Sequence, residues 1–366
     1  MKKLIAMLLA LVMILSLCAC DKKNSTEEEL ETAYLLTEIG ATQTDSEGKT
    51  HSMRGTVEYD DDYNVIGTKT YEDGKLSMEI TYDKDMDKPL VEQEYDEDGK
   101  VTDRTEYTYD ANGNLLERSG NRNYNGKNST FKYIFTYDAN SNMLTEKNYS
   151  NGKLENEFIY TYTAFNKVAT EILRYSYGEE VHCTYTYDQH ENKISETRTW
   201  QYDNGETRST QTTYENTYDG DKLAEVKTYE DGKLESWEKY DANGNETLRV
   251  YYYGDDGEES SRYESTYDED GKILKRVDKW GGETNTTTYT YNSSGKIVET
   301  NYSAQDGRTS RSAYSYDDNG NVTGMKTYTD GKVTMEYKLN YKEVSVSKEV
   351  AEKIAVLVEK TGILGY

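Results

Sequence analysis

Polar and apolar positions alternate along most of this chain with a period of two. Within residues 104–109, Thr105, Tyr107 and Tyr109 share one face of an extended strand, and Arg104, Glu106 and Thr108 share the other. The same phase recurs at Tyr160 with Tyr162, Tyr185 with Tyr187, Tyr289 with Tyr291, and Tyr314 with Tyr316. These runs are rich in Thr, Tyr and Val, and the chain has a single proline, Pro89, so they read as strands. Two stretches break the alternation. Residues 4–17 are almost wholly apolar, and from Ser347 the spacing of Val350, Ile354, Leu357 and Val358 becomes helical, with Ser347 as N-cap and Gly362 as stop.

Between the strands two turn signals alternate. Tyr-Asp-x-x-Gly and its degenerate copies start at Tyr59, Tyr82, Tyr109, Tyr137, Tyr162, Tyr187, Tyr218, Tyr240, Tyr267, Tyr291 and Tyr316. In the fullest copies, Tyr107 to Leu115 and Tyr314 to Val322, the aspartate can hydrogen-bond its own turn and the glycine closes it with a G1 bulge. An aromatic followed by Asp-Gly or Asn-Gly, as at Tyr71, Tyr149, Tyr229 and Tyr328, fits a two-residue type I′ turn. The mean period of about 26 residues leaves two strands of about eight to nine residues per repeat.

The expected fold is therefore all-β: about eleven antiparallel hairpins forming a long curled or spirally wound sheet, with one C-terminal amphipathic helix. The expected segments are a signal peptide over 1–19, a flexible tether over 20–32, the hairpin array over 33–344 and a helical cap over 345–366. The cap would cover the last sheet edge or plug an open end.

Lys2 and Lys3 ahead of the apolar run make residues 1–19 an export signal, too short to span a bilayer comfortably. Leu17-Cys18-Ala19-Cys20 resembles the lipobox of bacterial lipoproteins, which implies cleavage between Ala19 and Cys20 and a diacylglycerol on Cys20. The protein is then expected at the cell membrane, lipid-anchored on the exported side and extracellular in a Gram-positive cell. Cys183 is left as the mature chain's lone cysteine, read as a small strand side chain. A formal net charge of −26 repels polyanions, so nucleic acid is excluded as a partner, and neutral glycans, cations and basic proteins remain.

The phrase Tyr-x-Tyr-Asp-x-x-Gly-(Asn/Lys)-aliphatic, at Tyr107 to Leu115 and Tyr314 to Val322, resembles the YD repeats of the RHS and teneurin family over about Leu35 to Tyr341. The resemblance implies a strand meander wound into a shell. It also implies kinship with polymorphic toxins or adhesion proteins, whose repeats are commonly linked to carbohydrate binding. This chain departs from the family in carrying Asn or Lys where many repeats have Arg after the glycine, and nothing in it resembles the family's self-cleaving segment.

Candidate chemistry is sparse. The turn aspartates sit two strands apart, about 9 to 10 Å, whereas oxygens sharing one Ca²⁺ lie within about 5 Å, so no metal is assigned to them. Asp83, Asp85 and Asp87 begin like a calcium loop, but Lys88 and Pro89 replace its glycine region. His182 and Cys183 are adjacent on a strand and point to opposite faces. Neither a nucleophile elbow nor a phosphate loop occurs, so no enzyme and no cofactor is expected. Tyr outnumbers Phe by 37 to 4, odd for a dry core. The candidate ligand-binding residues are accordingly Tyr107, Tyr109, Tyr160, Tyr162, Tyr185, Tyr187, Tyr289, Tyr291, Tyr314 and Tyr316. The expectation is a non-enzymatic surface lipoprotein that binds or scaffolds, through a neutral glycan or a surface protein; the alternative is a protein-partner component of a secretion or toxin system.

Overall fold

The computed structural model describes residues 30–359 apart from 46, 84–87, 125 and 255–256. They form one sheet of 24 antiparallel strands, most of eight to ten residues, each paired with its neighbours in sequence. The sheet is closed. The first strand, Leu30–Thr44, pairs with the second and also with the last, Lys332–Ser347, from Leu30 opposite Ser347 to Gln43 opposite Met335. This corrects the open, curled or spirally wound array: the hairpins are twelve, and they make a barrel. Closure removes both free edges, which in a sheet this long would otherwise template aggregation.

The registers fix its dimensions. Stepping strand to strand from Gly40 round to the first strand again accumulates a stagger of about 22 residues, which for 24 strands gives a tilt of about 35° and a diameter of about 40 Å. With the right-handed tilt of L-strands, the turn bonds then decide which positions point inward. In Val101–Tyr109, Thr105, Tyr107 and Tyr109 face the lumen, and Glu106 and Thr108 face out. Crowding agrees: side-chain ends about 5 Å inside the wall share about three-fifths of the circumference available outside, and Thr105 is buried while Glu106 and Thr108 are exposed.

The two turn types form as the sequence predicts. Asp110 N–H donates to the Asn114 carbonyl at 2.9 Å and Gly113 takes φ 79°, a three-residue turn with a G1 bulge. Asp73 and Gly74 take φ 45° and 84°, a type I′ pair. Two copies differ from expectation. Tyr95-Asp-Glu-Asp-Gly adds another three-residue turn, and the copy at Tyr218 closes in two residues, Asp219 pairing with Lys222. That shorter turn lets the strand Thr207–Asp219 run to 13 residues.

The apolar core gathers where the barrel closes. Leu36, Ile39, Ala41, Met53, Val322, Met325, Tyr337 and Leu339 form one buried cluster, and Val65, Met78, Ile80 and Tyr82 a second beside it. Beyond the rim, the first and last strands continue as a two-stranded ribbon. Ala33, Leu35, Val344 and Val346 of the ribbon pack against Ala351 and Ile354 of the helix Lys348–Glu359, with Tyr59 and Tyr63 alongside. Ser347 caps that helix, its hydroxyl accepting the Val350 N–H at 3.4 Å. There is no last edge for the helix to cover, and at about 18 Å it is too short to span the mouth, so its place is on the ribbon.

Candidate functional site

The repeat unit builds the wall from its own turn outward. Asp110 Oδ1 accepts the backbone N–H of Asn112 at 2.9 Å and of Asn114 at 2.8 Å, while Asn114 Nδ2 donates to Asp110 Oδ2 at 2.9 Å. The same bonds recur at Asp138, Asp241 and Asp317. The Asn114 amide, and to a lesser degree the turn N–H groups, hold the Asp110 carboxyl below its ordinary range. Asn after the glycine therefore completes the turn, and its amide also reaches the next one, Asn114 Nδ2 to Ser141 Oγ at 3.1 Å. At the opposite rim, Asp73 Oδ1 accepts the Ser52 N–H and its own N–H donates to the Ser52 carbonyl, both at 2.8 Å. Asp231 does the same with Gln211. These carboxylates are spent on tying each hairpin to itself or to the one before. Among the described residues no group of three His, Cys, Asp or Glu is gathered as for a metal; Asp85 and Asp87 lie outside them.

The ten candidate tyrosines all point into the lumen, but the two members of each pair do different things. The second donates its hydroxyl to a backbone carbonyl on the preceding strand: Tyr109 to Pro89 at 2.9 Å, Tyr162 to Met143 at 2.6 Å, Tyr187 to Val168 at 2.7 Å, Tyr291 to Ile273 at 2.7 Å and Tyr316 to Ile297 at 2.6 Å. Tyr59, Tyr137 and Tyr267 repeat the bond. Each carbonyl lies where the register shifts by one residue, so the phenol satisfies an acceptor the ladder has lost. The first tyrosine lies deeper in the wall. Tyr107 donates to Glu92 at 2.9 Å under the Arg118 guanidinium, and Tyr185 donates to Glu171 at 3.1 Å beside Cys183. Burial pushes the Tyr109 and Tyr160 phenols up to about 12, and burial with Glu92 raises Tyr107 further. Tyr289 and Tyr314 are likewise raised by burial. Seven of the ten hydroxyls are thus bonded within the wall.

Sequence reasoning missed the polar partners of this inner face, Glu92, Glu171, Arg118 and Arg198, although strand alternation and register put them on the same face as the tyrosines. Outside, Lys69 pairs with Glu58 at 2.7 Å and Lys132 with Glu117 at 2.7 Å. Charged side chains at mid-strand on both faces differ from the continuous apolar band of a lipid-facing barrel. His182 points outward to Glu180 at 2.8 Å, and the neighbouring Cys183 is buried inward, opposite faces as expected. Ala19 and Cys20 lie outside the described residues.

No curated protein matches the chain. Among solved structures, the one titled crystal structure of TcdB2-TccC3-Cdc42 is 13% identical with a TM-score of 0.28, the likeness covering 76% of this chain and 17% of that one. A porin-like protein from Bacteroides uniformis is 12% identical with a TM-score of 0.22, covering 84% of this chain and 98% of that one. A sequence model described as teneurin YD-shell matches residues 119–349, well over half the chain and the stretch that carries most of the turn and tyrosine bonds above, and the chain therefore belongs to the teneurin YD-shell family.

Proposed function

We propose that this protein is a non-enzymatic binding or scaffold shell, held on the exported side of a membrane by acylated Cys20, whose tyrosine-lined lumen takes neutral glycans. The observation that carries the glycan reading is the inner wall: aromatic rings at regular strand spacing, seven of the ten candidate hydroxyls bonded within the wall, are of the kind that stack on the C–H faces of sugars. The anchor rests on residues 17–20. The other reading, a protein partner in a secretion or toxin system docked through the terminal helix, is less favoured because Ala351 and Ile354 are already seated on the ribbon.

The full chain, purified from membranes in mild detergent, is titrated with neutral wall and exopolysaccharides beside Tyr107→Ala and Tyr109→Ala. Saturable binding weakened in either variant supports the reading, and silence from every glycan removes its carbohydrate part. Palmitate labelling that persists in Cys20→Ser would remove the anchor.

A further inference from the structure

Two arginines of the inner wall hold no carboxylate. Arg118 stands between Tyr107 and Tyr133 of the neighbouring strands, and its guanidinium carbon lies 5.6 Å from the Tyr107 ring centroid, 5.7 Å from that of Phe131 and 6.0 Å from that of Tyr133. Arg122, four residues on and inward by the same alternation, lies 4.4 Å from the Phe131 centroid. Arg118 is half-buried and Arg122 is exposed near the hairpin end. Among the described residues neither guanidinium has a hydrogen bond or an ion pair, and Arg118 Nε is buried without a partner. Three other inward arginines differ: Arg198 holds Glu196 at 3.0 Å, Arg249 holds Glu238 at 3.5 Å and Arg276 holds Asp278 at 2.7 Å. The carboxylates of the adjoining inner strands are engaged elsewhere. Glu92 accepts the Tyr107 hydroxyl, Asp103 accepts the Asn123 N–H at 3.2 Å, and burial raises Glu94, opposite Asp103, above its ordinary range.

We infer that Arg118 and Arg122 form a lumenal site for a small tetrahedral oxyanion, a phosphate or sulfate group. A guanidinium withdrawn from water without a counter-ion is destabilising, and ring faces offset only part of that. Rings cover the flat faces of a guanidinium and leave its N–H edge to bind. Both guanidiniums lean on one ring, Phe131, so their carbons are at most about 10 Å apart, near the ~8 Å at which one tetrahedral anion accepts from two forks. A carboxylate fills one fork with its two oxygens, whereas phosphate or sulfate has oxygens for both. The net charge that repels polyanions acts far less on an ion of two charges. The site does not rest on the glycan reading, and its failure leaves that reading standing.

The test titrates the full chain, in mild detergent at fixed ionic strength, with sodium phosphate, sodium sulfate, phenyl phosphate and sodium acetate, read by calorimetry. Phosphate and sulfate are expected to bind one to one, with acetate at least tenfold weaker. Arg118→Gln and Arg122→Gln should each lose tenfold or more, and Lys338→Gln, an exposed cation of the outer wall, should bind as the wild type does. Circular dichroism checks the variants, and Arg122, being exposed, can be changed with the wall intact even if Arg118 cannot. Phosphate bound more tightly than phenyl phosphate assigns the free ion and the reverse an ester, and either upholds the site. No anion bound by the wild type, acetate bound as tightly as phosphate, or wild-type affinity in Arg122→Gln overturns it.

Discussion

Two sectors of the same barrel are held together by different physics. At the closure, from Val322 through the first and last strands to Tyr82, the inner face is Ile, Leu, Met and Ala, buried and dry. Round the rest of the ring the same inward positions carry Tyr, Glu, Arg and Asn, joined by phenol-to-carbonyl bonds and ion pairs and only half-buried. The difference follows from what each sector must do. A repeat hairpin is tied to its neighbour by short turns, so pairing is local and polar bonds of about 1 kcal/mol each suffice. The closing pair joins strands about 300 residues apart, and the extra loop-closure entropy, about 3 kcal/mol over a short turn, is of the size that burying two or three apolar side chains offsets.

If that contrast is right, the closure is the more fragile sector toward truncation. Leu339→Ala is expected to cost about 2 to 5 kcal/mol, since it leaves a cavity in a buried cluster. Denaturant unfolding measures it, and a loss no larger than that of Tyr109→Phe breaks the distinction. In the polar wall the largest effect should come from overpacking. A Cβ on Gly120 would stand 2.0 Å from the Arg104 carbonyl oxygen, so Gly120→Ala forces backbone to move, at about 1 to 3 kcal/mol.

The phenol bonds rank below these. Tyr109→Phe leaves the Pro89 carbonyl without its donor, at about 1 kcal/mol. Burial of the same phenols predicts an alkaline limit. The folded pKa of Tyr109, up to about 12, lies above its unfolded value near 10.0, so the neutral phenol favours the fold. That stability is fully present below pH 10 and is lost as pH rises toward 12. Absorbance at 295 nm should show a late class of tyrosines ionising only with unfolding; a single transition centred near pH 10 with the fold intact contradicts the wall.

Strand phase, both turn types and the shared tyrosine face were legible because each is written in neighbouring residues, such as Asp110 with Gly113 or Tyr107 with Tyr109, whereas which way that face points depends on closure. Closure was not. The residues that carry it, Leu36, Ile39 and Leu339, lie in strands with the same alternation as any other, and nothing local marks Leu30 as the partner of Ser347. Degenerate turns were half-legible: Tyr218 has the Tyr-Asp start but Gly220 comes two residues early, and the turn closes in two residues instead of three.

The smallest effect sets the two sectors against each other at one position. Tyr63 and Glu191 occupy the same place in equivalent three-residue turns, and both hold the left-handed conformation that other repeats give to glycine, at φ 63° and 61°. A non-glycine residue there carries about 1 to 2 kcal/mol of strain, against about 0.5 to 1 kcal/mol of extra chain entropy that glycine loses on folding. At Glu191 little else is at stake, since its ion pair with Lys167, at 3.7 Å, is exposed. Glu191→Gly should therefore stabilise by about 0.5 to 1 kcal/mol. At Tyr63 the ring packs on the cluster of Ala33, Leu35, Val344 and Val346, so Tyr63→Gly removes apolar contact at the closure and should destabilise despite the same relief of strain. Opposite signs at matched turns would show that the closing sector rests on burial and the remainder on backbone and polar bonds; equal signs would erase the difference between them.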